Sequence, residues 1–281
     1  MPTSHYVKVN NLHLRYLDFG NRLAPTVVFY HATGFTSELW QPIIRDLQDE
    51  FHCVALDQRG HGGSDKHADE FSWPATVDDF QKFLEAVQWE PVIAVGHSSG
   101  ATSVAVAAAR RPGLVEKAVL IEPTIRQRDS AAPNPEGNPL IERTRNRRAR
   151  WPNRAAMVEA LGQRAPYKSW MPEMLHLFAE HATAQTEGGE VELLCTPAIE
   201  AAIYASFRAY DPWPYLPEVR QPLLVIHGTG ASVLPTTNEA EIRPQWPQAQ
   251  WVNIAEGGHL VLMEAPEKVS QAIQTFLRAR S

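Results

Sequence analysis

The stretch Pro91-Val92-Ile93-Ala94-Val95-Gly96-His97-Ser98-Ser99-Gly100 restricts the possible folds more than any other part of the chain. Its apolar run is too short for a helix and rich in Val and Ile, so it reads as a buried strand; Ala101 to Arg111 is Ala-rich and reads as a helix. Gly-x-Ser-x-Gly lies between them. A strand that turns directly into a helix around a serine holds that serine in a cramped backbone conformation, and the flanking glycines give the close approach that such a turn needs. The Ser98 hydroxyl is then pushed out of the sheet edge. The first N–H groups of the helix, that of Ser99 above all, point at whatever it attacks. The five-residue pattern alone is weak; the strand before it and the helix after it make Ser98 a candidate nucleophile rather than part of an ordinary glycine-rich turn.

The rest of the chain alternates strand and helix signals. Residues 5–19 alternate apolar and polar about Asn10-Asn11, a hairpin signal. Residues 26–30 form an apolar strand ending in His31-Ala32-Thr33-Gly34-Phe35, and Ser37 is expected to cap a helix from Glu38 to Asp49. A strand at 51–57 empties into the glycine-rich loop 58–65, and a helix follows from Pro74 to Val87. After a further strand at 118–121, the segment 124–217 shows no strand-like run and only helical pieces near 139–150, 153–162, 171–183 and 197–208. Strands resume at 222–228 and 249–254, and an amphipathic helix spans 266–279. The expected fold is α/β: a mostly parallel sheet with helices on both faces, built from residues 1–123 and 218–281, with 124–217 inserted as a helical cap.

At 281 residues with a formal net charge of -6, the chain has room for one large domain and lacks the basic excess of a nucleic-acid binder. No secretory signal or membrane-spanning apolar run is visible. Cys53 and Cys195 form neither a Cys-x-x-Cys pair nor a zinc signature, so no metal and no disulfide framework is expected, and a reducing compartment, the cytoplasm, is the simplest home.

A serine nucleophile needs a base, a group that orients the base, and oxyanion donors. His259, in the loop Gly257-Gly258-His259 between the last strand and the last helix, is the candidate base. Together with His31-Ala32-Thr33-Gly34-Phe35, Asp57-Gln58-Arg59-Gly60-His61-Gly62-Gly63-Ser64 and Glu264-Ala265-Pro266-Glu267, these segments make nearly the whole chain resemble the α/β-hydrolase superfamily in its cap-bearing branch. The resemblance implies cofactor-free, serine-dependent hydrolysis of an ester, a lactone or a related acyl bond in a small molecule. It implies Thr33 as the second oxyanion donor, with Ala32 or Phe35 as neighbours that serve if the loop is shifted.

The family's usual acid loop reads Gly228-Thr229-Gly230-Ala231-Ser232-Val233-Leu234-Pro235 here and holds no carboxylate. Some members carry the acid at the end of the strand after the elbow helix, where this chain has Glu122. Glu239, Glu241 or Asp211 reaching in from loops, or no acid at all, are the alternatives. Phe35, Trp151, Trp170, Met174, Phe178 and Trp213 are candidate pocket residues. Arg126, Arg128, Arg143, Arg145, Arg147, Arg148, Arg150 and Arg154 form a basic run, read either as a solvated face or as an anion-steering or carboxylate-binding cluster. A carbon–carbon bond hydrolase, a perhydrolase and a non-catalytic ligand-binding fold stand beside the esterase reading. An elbow serine argues against epoxide hydrolases and haloalkane dehalogenases, which need aspartate there.

Overall fold

The computed structural model describes residues 1–67, 70–128, 136–230 and 239–279, with the backbone alone at 208 and 209. The hairpin pairs β1 (Thr3–Val9) with β2 (Leu12–Asp18) through Asn10 and Asn11, whose φ values of 50° and 62° suit the left-handed turn that Asn tolerates. Then come β3 (Thr26–Tyr30), α1 (Gln41–Arg45), β4 (His52–Leu56), α2 (Trp73–Val87), β5 (Val92–His97), α3 (Ser99–Arg110) and β6 (Val115–Ile121).

The helix expected from Glu38 to Asp49 is shorter. A 3-10 turn over Ser37–Trp40 leads into α1, which stops at Arg45. Ser37 does not cap it, because its N–H and hydroxyl both donate to the buried Asp57 carboxylate. The apolar spacing still fixes the inward face, and Trp40, Ile43, Ile44 and Leu47 are fully buried.

Between β6 and the next sheet strand lie α4 (Pro139–Arg145), β7 (Arg150–Trp151), α5 (Arg154–Gly162), α6 (Pro172–His181), β8 (Thr183–Gln185), β9 (Val191–Leu193) and α7 (Pro197–Ala205). The expectation of a strand-free segment fails here, since β7, β9 and β8 form a three-stranded antiparallel sheet. At two or three residues each, these strands are too short to show alternation. The segment packs into the same apolar cluster as the sheet, with Trp151, Met157, Met174 and Phe178 buried alongside Phe29, Trp40 and Ile121. The chain closes with β10 (Leu223–Gly228), α8 (Glu239–Ile242), β11 (Gln250–Ile254), α9 (Val261–Glu264) and α10 (Pro266–Arg278).

The main sheet runs β1-β2-β4-β3-β5-β6-β10-β11, antiparallel at β1, β2 and β4 and parallel from β4 onward. The register sets the site. His97 pairs with Ile121 and Ile226 pairs with Ile121, so Ser98, Glu122 and His227 emerge side by side at adjacent strand ends. The Ser98 N–H donates to Ile121 O at 2.9 Å, and the Glu122 N–H to Ile226 O at 2.9 Å.

Small residues let α3 lie close to the sheet. A Cβ on Gly100 would be driven into the carbonyl oxygens of Tyr30 and His31, and one on Gly96 into the backbone of Ala101. Backbone cannot yield as a side-chain tip can, so Gly100→Ala is expected to cost about 3 kcal/mol or more in urea denaturation.

Candidate active site

The elbow forms as the sequence predicts. Ser98 sits at φ 54°, ψ -118°, a conformation held by β5 on one side and α3 on the other. Its Oγ lies 2.9 Å from His259 Nε2, and His259 Nδ1 lies 3.2 Å from Glu122 Oε2. Glu122 as a carboxylate only accepts hydrogen bonds, so Nδ1 carries the proton and Nε2 is left to accept from the serine hydroxyl. Of the carboxylates weighed from sequence, Glu122 is the one that meets His259. Asp211 Oδ1 accepts from Trp213 N–H, Glu239 pairs with Arg243, and Glu241 Oε2 accepts from Arg128 N–H. Ala231 to Pro235 of the family's usual acid loop lie outside the described residues.

Glu122 is fully buried, and its backbone is left-handed at φ 48°. Burial alone would raise its pKa, but hydrogen bonds from His227 and His259 more than offset this and hold it at about 2. Gly228 N–H donates to Oε1 at 2.7 Å, and His227 Nδ1 lies 2.7 Å from the same oxygen. The bond to Glu122 raises the His227 pKa in turn.

His227 was missed from sequence. It occupies the register position beside Glu122, and only knowledge of strand order exposes that. Thr124 was also missed; its Oγ1 lies 2.9 Å from Ser98 Oγ, two residues past Glu122. With the serine proton directed at His259, Thr124 is the donor of that pair.

Two further histidines, His97 and His61, hold the frame. His97 Nε2 donates to the carbonyl of His259 at 2.9 Å, and His61 Nε2 accepts from Gly34 N–H at 2.8 Å. Burial drives both down to about 3, helped by the neighbouring His259 and His31 respectively. In the unfolded chain they titrate near pH 6.5. Their stabilising contribution is therefore complete above that pH and lost as pH falls from it toward 3, at up to about 1.4 kcal/mol per pH unit for each. On account of this pair urea midpoints should decline steadily below about pH 6.5, whereas His227, with its raised pKa, loses its own contribution as pH rises above that value.

Ser99 opens α3, so its N–H is one of the first-turn donors that a helix leaves without an intrahelical acceptor. Thr33 N–H lies across from it and donates to Ser99 Oγ at 3.0 Å. Serving an oxyanion from Thr33 therefore requires the Ser99 hydroxyl to turn aside. Phe35 N–H closes a turn onto Ala32 O, and Gly34 N–H is held by His61, so these two loop N–H groups also have acceptors within the protein.

A cavity of about 520 Å³ opens over Ser98 and His259. Phe35, Trp151 and Phe178 line it, together with Leu161, Tyr167 and Tyr204, which were not singled out from sequence. Trp170, Met174 and Trp213 are outside the lining. Trp170 packs behind Phe35 and Phe178, Met174 is fully buried in the core beneath, and Trp213 donates its indole N–H to Arg126 O against the other face of the sheet. Large apolar side chains in an insertion serve packing first, and these three do so here. The basic run divides. Arg145, Arg150 and Arg154 are bonded to Glu142, Glu192 and Ala179 O, whereas Arg143, Arg147 and Arg148 line the cavity. Among the described residues no three His, Cys, Asp or Glu side chains gather as metal ligands, and no helix is long and apolar enough to cross a membrane.

A mostly parallel sheet that presents a hydroxyl, an imidazole and a carboxylate at its strand ends, beneath an inserted segment, defines the hydrolase class of α/β proteins. The chain belongs to the alpha/beta hydrolase fold family, whose model matches residues 25–266. It is 28% identical over 258 residues to 2-(acetamidomethylene)succinate hydrolase of Mesorhizobium japonicum, spanning 91% of this chain and 88% of that one. It is 35% identical over 126 residues to a bifunctional esterase/perhydrolase of Acinetobacter calcoaceticus, there covering 44% of this chain and 46% of the relative. The crystal structure of E-2-(acetamidomethylene)succinate hydrolase superposes with a TM-score of 0.86 at 25% identity, over 99% of this chain and 100% of that one.

Proposed function

We propose that the chain is a serine hydrolase that cleaves a carboxylic ester or lactone through an acyl-enzyme on Ser98, with 124–217 acting as a lid. The 2.9 Å contact between Ser98 Oγ and His259 Nε2, backed by Glu122, carries this reading. His259 takes the hydroxyl proton as Ser98 attacks the carbonyl, and the N–H groups of Ser99 and Thr33 receive the oxyanion. The protonated imidazole, steadied by Glu122, returns the proton to the leaving alcohol. Water then attacks the acyl-enzyme with the same histidine as base. Residues of the sheet and of the insertion line one cavity, which supports the lid reading. Both cysteines are buried and free, which suits a reducing compartment such as the cytoplasm.

A second reading, cleavage of an amide-type acyl bond, is favoured by the name of the 28% identical relative. Matched pairs of esters and amides with the same acyl group test the two. Hydrolysis of the esters with no amide turnover supports the first reading, and a higher kcat/KM on the amides replaces it with the second.

A further inference from the structure

Four arginines and one carboxylate line the cavity, in a chain whose net charge is -6. The four are not equivalent. Arg147 Nη1 lies 2.6 Å from Glu200 Oε2, so its charge is matched within the wall. Arg148 lies over the Trp151 ring at 5.4 Å and donates from Nε to Arg150 O. Arg143 at the end of α4 and Arg164 just past α5 have no ion-pair or hydrogen-bond partner for their guanidinium groups among the described residues. Arginines of the same run outside the cavity do have such partners, Arg145 with Glu142 and Arg150 with Glu192. Donors are therefore left open on the cavity wall that the insertion contributes, while Ser98 and His259 stand on the wall contributed by the sheet. Leu140, Leu161, Trp151 and Phe178 also line the cavity. Arg143 and Arg164 are themselves solvent-exposed at the cavity wall, so their guanidinium groups are open to an incoming anion and an ion pair formed there is partly screened by water.

We propose that Arg143 and Arg164 form a carboxylate-binding subsite, so that the substrate carries a free carboxylate in addition to its scissile acyl group. This rests on the assignment of Ser98 as nucleophile and specifies the substrate class of that site. A planar carboxylate matches the guanidinium fork, and a hydrogen bond to a charged group contributes about 1.5–3 kcal/mol. The carboxylate also anchors the substrate along the cavity and so sets which carbonyl meets Ser98.

The test compares mono-4-nitrophenyl adipate with 4-nitrophenyl hexanoate, which have the same acyl length and differ in the terminal carboxylate. Wild type should favour the adipate ester in kcat/KM by about tenfold or more. Arg143→Gln and Arg164→Gln should each shrink that preference by about tenfold, chiefly through KM for the adipate ester, while Arg150→Gln, away from the cavity, should leave it intact. Equal or inverted preference in wild type overturns the subsite. So does a preference that both cavity variants retain, or one abolished by 0.5 M salt and lowered alike by Arg150→Gln, which is long-range steering alone. Calorimetric titration of Ser98→Ala with adipate reads the subsite without turnover. Binding weakened about tenfold by Arg143→Gln or Arg164→Gln supports it even if neither ester is cleaved, and no binding to Ser98→Ala overturns it.

Discussion

Ser98→Ala is expected to lower kcat on an activated ester by about 10⁴- to 10⁶-fold, with the urea midpoint close to that of wild type. The size follows from the role, since Ser98 Oγ is the hydroxyl that meets His259 Nε2 among the described residues. Thr124 Oγ1 is bonded to Ser98 Oγ, not to His259. Stability is spared because the serine side chain contributes two hydrogen bonds and no core packing, and the strained turn around it is held by β5 and α3. Steady-state kinetics and denaturation on the same preparations give both numbers. A kcat within tenfold of wild type in a folded variant would remove Ser98 from the chemistry.

Glu122→Gln should lower kcat by about 10⁴-fold while changing KM much less. The carboxylate now accepts from His259 Nδ1 through one oxygen and from His227 Nδ1 and Gly228 N–H through the other. Glutamine offers one accepting oxygen and one donating amide. If the oxygen stays with Gly228 and His227, the amide faces Nδ1 and forces the proton onto Nε2, the tautomer that cannot take the serine proton. Asp211→Asn should leave kcat as it is, because that carboxylate serves the Trp213 backbone. The acid limb of stability distinguishes the variant as well. Glu122 at about 2 lies below the usual carboxylate value near 4.3, so its contribution is present above that value and lost as pH falls toward 2. In Glu122→Gln that part of the decline below about pH 4 should vanish.

Much of this was legible because the site is built on local grammar. The apolar run before Gly96, the Ala-rich helix after Ser98 and the glycine-rich loop at His259 each carry their own signal, and the parallel sheet follows from their alternation. Glu122 was visible only as a strand-end residue of a related pattern, since its link to His259 spans 137 positions. His227 and Thr124 were invisible for the same reason: nothing local distinguishes them, and only the β5-β6-β10 register brings them to the serine and its acid. The pocket was the least legible part. A large apolar side chain in an insertion reads the same whether it lines a cavity, as Trp151 does, or packs into the core, as Trp170 and Met174 do. The division of the arginine run likewise depends on which face of α4 and which end of α5 meets the sheet, and the charges alone do not specify that.

Covalent labelling tests the central claim most directly. Treatment with a fluorophosphonate, followed by peptide mass spectrometry, should place a single adduct on Ser98, with concomitant loss of ester hydrolysis and no labelling of Ser98→Ala. An active protein that takes the adduct at another residue, or keeps its full activity with Ser98 occupied, would contradict it.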